Sequence, residues 1–340
     1  MNMKTLYIIL VLLFITNVLL SQDLHLSQYQ EAKLLFNPAL TGDYDGDYRV
    51  HLQHRSQWGS VIKNPFRTEF FSFDKSFKRK LKRLHVGIYA LNYRAGVGKF
   101  NLFNLMASGS YEVTIDPSNQ QHLIFGTQLG MVQNSFDVSS FTFDNQFTSA
   151  NGGSFDQSIN SGETFEKTSV LKPDVNFGVH YLFQNRFNYF NSSVYKVATY
   201  NPYAGIVAYH LTQPNLTFSE VKNKLYRRYF MYAGCKIKVN TPICVEPSFI
   251  YMRQLNINEF QISTTTYYFE KSYNVFFFAT LNLRPKDAFI VSLGAIYGNY
   301  RIGVGYDINT SPLKAVTNSK GAFEISLTYT KFDNKTYAMF

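Results

Sequence analysis

The 340-residue sequence predicts an all-β protein, a transmembrane antiparallel β-barrel of the outer-membrane type with about 14 strands. Three observations predict it. No run of 18 or more apolar residues occurs beyond residue 21, so no helix is available to cross a bilayer. The chain has 25 Tyr and 32 Phe, while charged residues make up only 16%, below the roughly 25% usual in globular chains. Such aromatic richness suits short strands in an apolar medium, with aromatic girdles at its two boundaries. Finally, segments of about ten residues alternate between apolar and polar, the period of a strand with one apolar and one polar face.

At the N-terminus, residues 1–21 have the layout of a secretory signal: Lys4, an apolar stretch from Leu6 to Leu20, and small Ser21 before Gln22. No Cys follows that stretch to be acylated. Residues 22–47 read as a periplasmic arm. Within it Pro38 fixes φ and disfavours helix at Asn37, and Gly42 permits a left-handed turn, so the arm can lead into a first strand.

The barrel spans 48–331. Strands are expected near 48–55, 66–74, 84–94, 102–114, 122–133, 174–183, 202–212, 227–239, 243–254, 259–268, 271–282, 287–297, 299–308 and 321–331. The alternation is clearest in Tyr300–Ile308 and Phe323–Thr330. An even count with both termini in the periplasm makes Val239–Thr241 and Tyr297–Asn299 periplasmic turns. It places the longer connections near 134–173, 213–226 and 309–320 outside the cell. Residues 184–201 make either an unusually long periplasmic connection or a place where a strand is miscounted. Residues 134–173 lack clear periodicity, so they are either mobile or folded inward as a plug. A tail, 332–340, follows the last strand.

The net charge of +10 has one dense run, Lys78-Arg79-Lys80 with Lys82 and Arg83. It joins the second strand to the third without recognition-helix or RNP-type context, so nucleic acid is not an expected partner. A solvated turn or an anionic membrane surface explains it. The two cysteines are expected to be unbridged, because strand alternation puts Cys235 outward and Cys244 inward beside Glu246.

No constellation predicts catalysis, a metal or a cofactor. Asp43, Asp45 and Asp47 resemble the opening of a calcium loop, but its glycine is misplaced and its twelfth position is His54. Ala95-Gly96-Val97-Gly98-Lys99 lacks the spacing and the helix of a phosphate loop. The seven His have no metal-ligand spacing, and no nucleophile motif is present.

The mature N-terminus reads Gln22-Asp23-Leu24-His25-Leu26-Ser27-Gln28-Tyr29, then Phe36-Asn37-Pro38-Ala39-Leu40-Thr41-Gly42, then His54-Arg55-Ser56-Gln57-Trp58. Later come Glu246-Pro247-Ser248-Phe249-Ile250, Leu283-Arg284-Pro285-Lys286-Asp287-Ala288, Gly303–Ile308 and Gly321–Leu327. This ordered set resembles the PorP/SprF family of type IX secretion system membrane proteins, over nearly the whole mature chain. The resemblance implies a barrel in the bacterial outer membrane. It also implies a non-enzymatic role in exporting proteins or holding them at the cell surface, gliding adhesins among them, in contact with periplasmic parts of the secretion machine. Residues 134–173 and the tail from Asp333 match nothing in that pattern.

The expected partners are therefore an exported cargo protein, periplasmic and outer-membrane secretion components, and outer-membrane lipid. Asn37, Pro38, Arg55, Gln57 and Trp58 are the candidate contact residues. For the last three, a structural corner with an interfacial Trp is the favoured reading over a direct partner contact. The alternative function is a porin for small solutes. A porin requires an open, charge-lined channel, whereas a docking scaffold is compatible with a filled one; Phe276 and Phe278, expected to face inward, point to filling. A barrel of about 14 strands is too narrow to pass a folded domain, so any part in export is docking or anchoring.

Overall fold

Alternation becomes a closed wall when each strand finds an antiparallel neighbour on both sides. The computed structural model describes residues 26–44, 46–77, 83–96, 98–118, 120–149, 153–163, 167–183, 199–218, 223–240 and 242–331. The signal at 1–21, most of the Lys78–Arg83 run, most of 184–201 and the tail 332–340 lie outside the described residues.

The strands are β1 (Tyr48–Gln57), β2 (Phe66–Ser76), β3 (Leu84–Ala95), β4 (Phe100–Thr114), β5 (Gln121–Ser135), β6 (Phe147–Thr148), β7 (Ser154–Phe155), β8 (Ser169–Phe183), β9 (Thr199–Tyr209), β10 (Arg228–Lys238), β11 (Ile243–Gln254), β12 (Ile257–Glu270), β13 (Val275–Arg284), β14 (Ala288–Tyr297), β15 (Tyr300–Asn309) and β16 (Lys320–Lys331). Fourteen of them form the barrel, each beside its sequence neighbour, with β8 following β5 and β16 closing on β1. β6 and β7 make a separate small hairpin in the β5–β8 connection. Closure leaves no edge strand, which is what lets a sheet stand in hydrocarbon. No described helix is long and apolar enough to cross a membrane.

All fourteen expected strands are present, with shifted ends. The 271–282 strand begins only at Val275, because 271–274 form a turn in which Asn274 takes a positive φ. The 202–212 strand stops at Tyr209, since His210 leaves the extended region with φ 56°. β5 and β8 run on to Ser135 and back from Ser169, so the long connection is 136–168 rather than 134–173.

One face of every strand meets lipid and the other meets the lumen. On β1, Leu52 is exposed while Arg49, His51, Gln53 and Arg55 are buried. On β15 and β16, Ile302, Val304, Tyr306, Phe323, Ile325 and Leu327 are exposed; Asp307, Glu324 and Ser326 are buried. Tyr48, Phe73, Tyr300 and Tyr329 form an aromatic cluster near the chain termini of the barrel, with centroid distances of 5.1–6.0 Å. That is the girdle expected at a membrane boundary. Phe276 and Phe278 are buried inside, as expected. Both cysteines are free, Cys244 buried and Cys235 on the opposite face of its sheet.

The lumen holds the main departure from the sequence reading. The described part of the expected periplasmic arm, 26–44, does not hang below the barrel. It runs through the lumen and packs against β4, β5 and β8 before joining β1. The physical reason is that inward faces rich in ions and amides cannot stay dry and unpaired, and this segment supplies their partners.

Candidate functional site

Three anchors seat the inner segment. At its start, Ser27 and Gln28 donate their backbone N–H groups to the two Glu324 carboxylate oxygens, at 2.7 and 2.8 Å. Such bonds to a charged acceptor contribute about 1.5–3 kcal/mol each. Arg55 on β1 bridges Glu324 (2.6 Å) and Asp307 (2.9 Å), and also donates to the Ser27 hydroxyl. Arg284 reaches the same Asp307 oxygen at 3.3 Å, and Gln53 donates to Glu324. All of these side chains are buried. An isolated ion here would be prohibitive, and the cluster is tolerated because each charge faces its opposite.

The second anchor is Glu31, bonded by two Arg301 nitrogens at 2.7 and 2.6 Å. The Arg301 guanidinium also lies 4.1 Å from the Phe278 ring centre, a cation–π contact.

The third anchor is the Phe36–Gly42 stretch. Residues Lys33–Phe36 form one helical turn and Pro38–Leu40 a 3₁₀ turn. Asn37 caps the second turn, its side-chain oxygen accepting from the Ala39 N–H at 2.8 Å. The Asn37 amide nitrogen donates to the Tyr232 hydroxyl at 2.8 Å, which in turn bonds His180 at 2.8 Å. Tyr209 donates to the Leu35 carbonyl and Gln128 to that of Leu34. Thr41 is tied to Ser108 and Ser110, and the Gly42 N–H donates to Asp74. Asp74 is itself held by Arg49 at 3.0 and 2.7 Å.

Close approach of the inner segment explains two glycines in the wall. A Cβ at Gly126 would overlap the Pro38–Ala39 peptide, and one at Gly178 would overlap the Asn37 side chain. Only glycine lets β5 and β8 come this close to the segment.

Of the residues singled out from sequence, Asn37, Pro38 and Arg55 are brought together as parts of one inner assembly, and all three are buried. Gln57 accepts weakly from Arg55 at 3.4 Å. Trp58 stands apart just past the end of β1, with φ 58°, its ring tilted against that of Phe66 at 5.2 Å and its backbone N–H donating to the Gly321 carbonyl. Sequence reasoning missed Glu31, Asp74, Arg301, Asp307 and Glu324. For all but Glu31, which lies in the inner segment, the signal was present as opposite charges on the inward positions of apolar-outward strands.

The loop end is built differently. The described residues of connection 136–168 are mostly exposed, and Phe136 contacts Phe141 and Phe218, the last from the 210–227 connection. Lys99 donates to Asp137 at 2.8 Å and holds that carboxyl well below the usual carboxylate range, with help from Ser139. Exposed apolar side chains in the loop-end connections include Val61, Ile62, Phe147, Phe155, Leu313 and Val316.

A family described as type IX secretion system membrane protein PorP/SprF matches residues 18–329. No curated protein matches the chain. Among solved structures, the chain is similar to the toluene transporter TbuX of Ralstonia pickettii, with 9% identity, a TM-score of 0.49, and coverage of 89% of this chain and 94% of the other. It is similar to the CymD monoaromatic hydrocarbon channel, with 11% identity, a TM-score of 0.47, and coverage of 89% and 93%. It is also similar to a Pseudomonas aeruginosa FadL homologue, with 10% identity, a TM-score of 0.44, and coverage of 88% and 94%.

Proposed function

The chain belongs to the PorP/SprF family of type IX secretion system membrane proteins, and from that premise we propose that it docks or anchors exported surface proteins without itself conducting them. It is an outer-membrane barrel, and its family associates with other secretion components. The observation that carries the proposal is the occupied lumen. Residues 26–44 cross it and are fixed by ion pairs and hydrogen bonds to strands all around the wall. A lumen occupied by the chain's own segment supports a scaffold that works by binding and counts against a wide, open porin.

The loop end would meet the exported protein, since rigid strands there present connections with exposed apolar groups. The turn end, carrying the short connections and the basic 78–83 run, would meet the periplasmic machinery. The role is non-enzymatic: Arg55, Arg301, Asp74 and Glu324 are engaged in or around the anchors of the inner segment rather than presented to a substrate.

Deleting the protein should abolish surface display of one or a few exported proteins while leaving small-solute uptake nearly unchanged. Two results would sink the proposal: normal display of every surface protein in the deletion strain, or large solute-selective conductance from the purified barrel in planar bilayers. The second would promote the porin.

A further inference from the structure

Between the inner segment and the β9–β12 arc of the wall lies a cavity of about 480 Å³, counted with its mouth. Its apolar lining comes from both sides: Tyr29 and Phe36 from the segment, Phe230, Ile250 and Met252 from the wall. Besides Arg228 and Glu259, one polar side chain, Gln261, joins the lining. It is buried, and its amide nitrogen has no hydrogen-bond partner. A buried donor in an apolar pocket costs free energy unless something accepts from it.

The mouth is placed by register. Tyr209 ends β9, Arg228 begins β10, and the partly exposed Met252 and Glu259 lie near the end of β11 and the start of β12, so the wall of the cavity stands in the loop-end half of the lumen and reaches solvent there. Arg228 and Glu259 bring opposite charges to this rim, and the Arg228 guanidinium lies 4.4 Å from the Tyr209 ring centre. Apart from that rim the lining is apolar, so the site suits a group with an apolar body the size of one large side chain and one hydrogen-bond acceptor for Gln261.

We propose that this cavity is a socket for a single large apolar side chain of the docked polypeptide, with a peptide carbonyl accepting from the Gln261 amide. The occupant is assigned on the docking function argued above. The cavity opens at the end where exposed apolar side chains already crowd the connections, and a side chain next to its own carbonyl is the acceptor-bearing apolar group that such a surface meets most often. Central apolar pockets of this kind act as anchoring points in protein interfaces.

The full-length barrel in lipid nanodiscs tests the site by saturation-transfer NMR with N-acetyl-L-phenylalaninamide, N-acetyl-L-leucinamide and N-acetylglycinamide. Transfer to the first two and none to the third is expected. Gln261→Leu keeps the apolar volume and should weaken binding about tenfold, the loss of roughly one enclosed hydrogen bond. Ile250→Phe should fill the socket and abolish binding, with retained heat-modifiable mobility reporting a folded barrel. Equal transfer to the glycine probe, no transfer at all, or unchanged binding in folded Ile250→Phe would overturn the site. In cells, Ile250→Phe should lower display of the same proteins that the deletion removes. Unchanged display beside lost probe binding would overturn the polypeptide as occupant, and a deletion without effect on display would instead remove the docking function on which that assignment rests.

Discussion

Residues 26–44 and 136–168 look alike as sequence, since neither has a strand or helix period, yet they occupy opposite physical situations. The first is largely buried, and its partners lie far along the chain: the Ser27 N–H bonds Glu324 across 297 residues and Asn37 bonds Tyr232 across 195. The second is largely exposed and bonds mainly to itself, as when Ser139, Ser158 and Gly162 donate N–H groups to side chains two residues before them. Absence of pattern therefore has two meanings. One segment folds on its own local turns; the other takes its course from a wall that another part of the chain builds.

The strongest way to break this contrast is to replace 26–43 by a flexible Gly/Ser linker of equal length. A fourteen-strand wall without its inner segment should conduct small solutes freely in planar bilayers, whereas shortening 136–168 should leave conductance at its basal level. Unchanged conductance after the first replacement would mean that the segment is not what closes the lumen.

Next in size is Arg55→Ala, which leaves Asp307 and Glu324 buried with one cation fewer. A loss of about 3–5 kcal/mol is expected for a broken buried pair, read as a lowered unfolding midpoint in urea. Asp137→Ala, which breaks an exposed pair in the loop, should leave the midpoint unmoved. Equal effects would erase the distinction between the two regions.

Gly126→Ala should cost about 1–3 kcal/mol, the usual cost of overpacking, because its Cβ meets the Pro38–Ala39 peptide. It should also raise conductance slightly as the segment shifts, and no such rise should accompany Gly153→Ala in the loop.

The smallest effect concerns the Lys99–Asp137 tether. The folded carboxyl titrates below its ordinary value, so the tether is fully present above about pH 4 and is lost only as pH falls through the lower folded value. Protease cleavage within 136–168 should consequently be flat from neutral pH down to about pH 4 and rise with added salt. Cleavage already rising at pH 6 would show that Asp137 does not hold the loop.

Period-two alternation made the wall legible. Tyr300–Ile308 and Phe323–Thr330 show their outward and inward faces by residue type alone, and so did the opposite facing of Cys235 and Cys244. Strand ends were less legible where a non-glycine residue adopts positive φ, as at His210 and Asn274, because nothing in those residue types announces it. The inner assembly was half legible. Arg49, Arg55, Asp307 and Glu324 stand at inward positions of otherwise apolar strands, which marks a charged lumen. That Ser27, Gln28 and Asn37 are what answers those charges depends on three-dimensional proximity between the two chain ends, which no local spacing encodes.

The clasp between Ser27 and Glu324 also has a consequence for how the protein is made. Residues near the N-terminus are synthesised first, but the acceptor for their backbone N–H groups sits on β16, the last strand, which also closes the barrel on β1. Filling the lumen and sealing the wall thus await the same late arrival. Contacts of such long sequence separation make folding slow, and a chain halted before β16 would have neither a closed wall nor a seated interior. Completion of the polypeptide is in this way the checkpoint for both, and a shortened product would be exposed to proteolysis along its whole length.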